Sequence, residues 1–116
     1  MSNTIFAYDT DAREVLEMID LKEVLPEVNF MLTRMVQCDK ILFYTKGSDP
    51  INMMKLEKVN SASPTLTEMC SLQRNLEDFS LANFFNKFLI LTGGAKVGTY
   101  YASKEVFSYN IKQNLW

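Results

Sequence analysis

Apolar positions recur along this chain at two spacings, and each spacing predicts a kind of element. Alternation over residues 4–8, the run KILFYT over 40–45 and the weaker pattern over 51–59 predict strands. The Gly-Ser-Asp-Pro stretch at 47–50 is a turn signal that would join the last two as a hairpin. Two more strands are expected over 97–102 and 106–111, linked around Ser103 and Lys104.

Helical spacing predicts four further elements. Asp11 stands three residues before Glu14, a capping-box spacing that would open a helix with Ala12, Val15, Leu16 and Ile19 on one face. Pro26 suits the first turn of a second helix, with Val28, Met31, Leu32 and Met35 as its apolar face. Thr65 and Glu68 repeat the capping-box spacing ahead of Leu66, Met69, Cys70 and Gln73, and predict a third helix reaching about Leu76. Leu81, Phe84, Phe85, Phe88 and Leu89 fall on one helical stripe between Ser80 as N-cap and Gly93 as a left-handed stop. The same letters over 87–92 also fit a strand turned by Gly93 and Gly94 into 96–102, but length and period favour the helix.

About five strands and about four helices in mixed order predict an α+β fold. It would be one small domain over 1–116, a mostly antiparallel sheet with helices packed on one face. Strand followed by capped helix occurs twice, at 4–19 and 51–76, without a residue-level repeat to support a duplication.

Composition agrees with a folded domain, at 47% hydrophobic, 12% aromatic and 22% charged residues. It also removes chemistry. The chain has no histidine, hence neither the usual general base near neutral pH nor the commonest metal ligand. Carboxylate pairs such as Asp9 with Asp11, or Glu77 with Asp78, are adjacent rather than opposed and suit capping better than acid–base work. No catalytic set, metal site or cofactor is therefore expected. Cys38 and Cys70 are too far apart for a zinc knuckle or redox pair and are expected to be buried thiols in a reducing compartment. No basic-then-apolar leader opens the chain, and no apolar run approaches the roughly 20 residues of a bilayer span. The expected location is cytoplasmic, in its own cell or an infected host.

The formal charge is -2, unevenly spread. Asp9, Asp11, Glu14, Glu17, Asp20, Glu23 and Glu27 face only Arg13 and Lys22 in the first thirty residues, whereas Lys87, Lys96, Lys104 and Lys112 face Glu105 alone. Such polarity can steer a partner. With seven methionines and the cluster Phe84, Phe85 and Phe88, the apolar content exceeds what a small core holds comfortably, which points to an interface and a homodimer. The expected function is a non-catalytic binding or regulatory protein acting through protein–protein contact. Its small size and the excess of lysine over arginine fit a phage or viral accessory protein that inhibits a host enzyme or defence system. The partner-binding candidates are Glu14, Glu17, Phe84, Phe88 and Trp116. Trp116, beside Leu115, is expected to dock on this chain or on a neighbouring copy.

The alternative is a regulator that binds single-stranded nucleic acid on a basic, aromatic C-terminal sheet. Its candidates are Lys96, Tyr100, Lys104, Tyr109 and Lys112. Residues 92–98, Thr-Gly-Gly-Ala-Lys-Val-Gly, resemble a phosphate loop in glycine content. They lack the Walker spacing, so helix stop plus turn is the expected reading.

Overall fold

A computed structural model describes residues 4–9, 11–20, 33–57 and 64–116, and every regular element among them is a strand. β1 (Thr4–Asp9) and β2 (Glu14–Asp20) form an antiparallel hairpin. β3 (Met35–Cys38), β4 (Ile41–Lys46), β5 (Asn52–Glu57) and β6 (Thr65–Glu68) form a four-stranded antiparallel sheet in sequence order. β7 (Leu76–Phe84), β8 (Phe88–Lys96) and β9 (Val106–Asn110) form a three-stranded one.

The α+β expectation is thus overturned: the described residues hold an all-β fold. The helix expected from Asp11 is the β1–β2 turn followed by β2, and Arg13 takes the left-handed backbone of that turn, φ 55°. The helix expected from Thr65 is β6 followed by extended chain. The stripe Leu81–Leu89 is the β7–β8 hairpin, because a separation of four residues brings side chains together across a tight turn as well as along a helix. The second expected helix lies outside the described residues, except that Met35 belongs to β3. The strand expected at 97–102 is a turn, and β9 pairs with β8 instead. The strands expected near 4–8, 40–45, 51–59 and 106–111 are present, as is the β4–β5 hairpin.

The two larger sheets pack face to face. Phe43 and Met53 from one meet Leu89 and Tyr109 from the other, and Ile51 and Leu72 meet Phe79 and Leu91. Hydrogen bonds close both seams of this sandwich. Along β3 and β7, Arg34 Nε donates to the Phe79 carbonyl (2.9 Å) and Asn83 Nδ2 to the Gln37 carbonyl (3.0 Å). On the other side, the Cys70 amide donates to Asn114 Oδ1 (2.7 Å), and the Trp116 indole donates to the Cys70 carbonyl (2.8 Å). At the centre of β7, pairing skips Asp78, and Asp78, Gly93 and Gly94 are all left-handed there. This turn lets Leu76 and Phe79, three residues apart, both reach the core. Gly94 is obligatory, since a Cβ would stand 2.6 Å from the Glu77 carbonyl oxygen.

The second sheet repeats the first. Lys40, Leu42, Thr45 and Gly47 recur 47 positions on as Lys87, Leu89, Thr92 and Gly94, and Asp39 and Asn86, both left-handed, share that spacing. Pairing repeats as well: Leu42 with Leu56, Tyr44 with Met54 and Thr45 with Met53 answer to Leu89 with Tyr109, Leu91 with Phe107 and Thr92 with Val106. The stacking has a direction. Leu89, Leu91, Phe107 and Tyr109 on one face of the second sheet pack on the opposite face of the first, which bears Val36, Cys38, Ile41, Phe43 and Met53.

The second sheet exceeds the first at two places. Its first turn has three residues, Phe85, Asn86 and Lys87, where the other has Asp39 and Lys40. The connection from Thr92 to Val106 is longer than that from Thr45 to Met53, and it contains Tyr100 and Tyr101.

Candidate functional site

Both additions to the second sheet expose aromatic rings. At the β7–β8 turn, Lys87 N–H donates to the Phe84 carbonyl (3.1 Å), and Phe85 and Asn86 have φ 52° and 57°. This is the mirror-image turn that hairpins favour, normally made by Asn-Gly; an aromatic residue there is strained. Phe85 is nevertheless 78% exposed and Phe84 52% exposed, with ring centroids 4.6 Å apart in a T-shape. Side chains behind the turn hold it. Asn83 Oδ1 accepts the Asn86 amide (2.8 Å), Asn83 Nδ2 donates to Asn86 Oδ1 (2.6 Å), and Asn86 Nδ2 donates to Asp39 Oδ1 (3.1 Å). A shallow groove of about 380 Å³ opens alongside, lined by Lys87, Phe88, Asn110, Ile111, Lys112 and Gln113.

The second addition lies at the other end of β8, about 26 Å away at the rise of an extended strand. Here the Lys96 carbonyl accepts the Thr99 amide (3.0 Å), and Gly94 and Ser103 are joined by a 2.8 Å backbone bond. Tyr100 is fully exposed and Tyr101 largely so, between exposed Lys96 and Lys104. Among the described residues, neither these two lysines nor Lys87 and Lys112 make an ion pair, and Glu105 is engaged by Arg74 at 3.2 Å. Between the ends, the outer face of the sheet carries Ala82, Phe84, Phe88, Ile90, Thr92, Val106 and Ser108, with no charge among them.

The partner-binding candidates therefore separate. Phe84 and Phe88 are directly paired across the hairpin and share the outer face. Trp116 does not belong with them: it is half-buried against Tyr109, centroids 5.1 Å apart, within its own chain. Glu14 is exposed at the start of β2, and Glu17 stands in β2 opposite Ala7; both belong to the β1–β2 sheet.

The nucleic-acid candidates also divide. Lys96, Tyr100 and Lys104 share one end, whereas Lys112 lies at the groove on the other. Tyr109 is wholly buried, its hydroxyl donating to Asn114 Oδ1 (2.6 Å), so it offers no ring to a base. Burial pushes its phenol up to about 12. Gly93 and Gly94 lie inside β8 rather than in an anion-binding loop, so the expected helix stop is overturned too.

Both cysteines are free thiols. Cys38 is buried, with its thiol pushed up by burial and then by the neighbouring Asp39 carboxylate, and Cys70 is half-buried. Among the described residues, no group of three His, Cys, Asp or Glu side chains could hold a metal ion. No helix among them is long and apolar enough to cross a membrane.

Ile90 and Val106 have no role in the sequence reading, because each lies in an apolar run, Phe88–Leu91 and Val106–Phe107, that does not show which of its letters face outward. The 47-residue correspondence places Ile90 where the first sheet has the wholly buried Phe43, and the pairing of Val106 with Thr92 places it where the first sheet has Met53 paired with Thr45. Comparison with protein-family models, with curated proteins and with solved structures finds no match to this chain.

Proposed function

We propose that this chain is a non-catalytic binding protein that engages a protein partner through the β7–β8 turn. One observation carries the reading: Phe85, the residue by which this turn exceeds its counterpart, is an exposed aromatic held in a strained backbone by a hydrogen-bonded frame. Strain of this kind costs about 1–3 kcal/mol and survives where the presented group is used. Rigid aromatic anchors beside a groove are also the common form of an interaction hot spot. A cytoplasmic regulator, such as an accessory protein of a phage or virus acting on a host enzyme, is the setting that fits this chemistry.

The test places a photoreactive phenylalanine analogue at position 85 and irradiates cells in which the gene is native. One discrete protein adduct is expected, competed away by the unlabelled chain and not by its Phe84→Ser/Phe85→Ser variant. Adducts that the variant competes equally well would end the reading.

The far end of β8 supports a second reading, single-stranded nucleic acid stacked on Tyr100 and Tyr101 beside Lys96 and Lys104. It predicts affinity that falls with salt at a slope of about -0.7 per phosphate contact on single strands. Replacing Lys96 and Lys104 with Gln should flatten that slope, while Tyr100→Ala should weaken binding at every salt concentration. An oligonucleotide whose affinity ignores both changes is not bound there.

A further inference from the structure

We infer that the outer face of the three-stranded sheet is a sheet-docking face and that a second copy of this chain occupies it. The proposal deepens the protein-binding reading by naming a partner, and it rests on the sheet face, which shares only Phe84 with the turn. Thr45 and Met53 sit opposite each other on β4 and β5 and are wholly buried beneath the second sheet. Their counterparts Thr92 and Val106 pair in the same way on β8 and β9, yet Val106 is 66% exposed. Phe43, wholly buried, answers to half-buried Ile90, and buried Cys38 to exposed Phe84. The outer face thus has the character of a surface that the same molecule, one repeat earlier, covers with a sheet.

The occupant is identified by charge and by what the covering sheet must offer. Ala82, Ile90, Thr92, Val106 and Ser108 carry no charge, so two such faces meet without repulsion or a stranded ion. The corresponding inward face of the first sheet, at Tyr44 and Leu56, is already buried and is not open to a neighbour. A second copy therefore brings its own outer face, and the two pair about a two-fold axis with the same residues on both sides.

Sedimentation velocity of the full chain tests this, from about 1 µM to several hundred µM, a range suited to a small apolar interface. The wild type should pass from monomer to dimer. Val106→Asp and, as a milder change, Ile90→Thr should each weaken that dimer at least about tenfold while leaving the Trp116 emission of the folded chain unchanged. Phe85→Ser, at the turn, should leave the dimer within about threefold, so that failure here and failure of the turn as an anchor are told apart. A wild type that stays monomeric, a Val106→Asp dimer as tight as the wild type, or growth beyond dimers would each overturn the pairing.

Discussion

Phe85 and Gly94 both have a left-handed backbone, and the residue type decides what each costs. At Phe85 the ring stands in solvent with φ 52°, so the conformation is a net penalty to the fold. Phe85→Gly should raise the urea midpoint, by about 1 kcal/mol of stability, while losing the power to compete for the photo-adduct. At Gly94 the argument reverses. A methyl group would meet the Glu77 carbonyl and also crowd Phe79, so Gly94→Ala should cost about 2–4 kcal/mol in the same denaturation experiment. What sequence alone could show at this scale was uneven. Phe84 and Phe88 were placed side by side for a mistaken reason, since four-residue spacing serves a hairpin as it serves a helix. Tyr109 reads as an available ring because nothing in its strand marks the bond to Asn114, whereas Trp116 is expected to dock, and its bond to Cys70, 46 positions away, places that docking within its own chain.

Among elements, β1, β4, β5 and β9 were legible from alternation or β-forming runs, whereas β2, β6, β7 and β8 carry spacings that a helix shares. β8 runs through Gly93 and Gly94, residues that ordinarily end an element; here they bend the strand opposite Asp78. The two capping-box spacings also misled, because Asp and Thr beside a turn satisfy backbone amides whether or not a helix comes next. The C-terminal segment after β9 shows how an irregular stretch can still be structural. Asn114 Oδ1 accepts both the Tyr109 hydroxyl and the Cys70 amide, tying β9 to the chain beyond β6. Asn114→Ala would strand both donors, one on a wholly buried ring, and should lower stability by about 2–3 kcal/mol. Asn114→Asp, which keeps the acceptor, should lose less; equal losses in the two variants would show that the clasp does not work through that oxygen.

At the scale of the molecule, the repeat escaped sequence reading because only Lys, Leu, Thr and Gly survive at identical spacing, and the two added turns shift the register of the strands downstream of them. Burial supplies a test of the whole fold. The phenols of Tyr44 and Tyr109 are both pushed up to about 12, by burial in each case. The folded chain thus holds these protons more tightly than the unfolded chain does. Their contribution is complete below about pH 10 and is lost as pH rises towards about 12, on the order of 2 kcal/mol for each ring. Urea midpoints should fall across that window, and Tyr109→Phe should blunt the fall; a flat profile would contradict the burial of both rings. The direction in which one sheet covers the next has a further consequence. Contacts of head-to-tail type carry no stopping rule and yield a ring or an endless fibre, whereas a face that meets its own kind is finished after two. An outer face that seals against itself acts as a terminator, and because the face of the first sheet that would receive a head-to-tail neighbour is already buried at Tyr44 and Leu56, mutations that spoil self-matching should return monomers rather than a polymer.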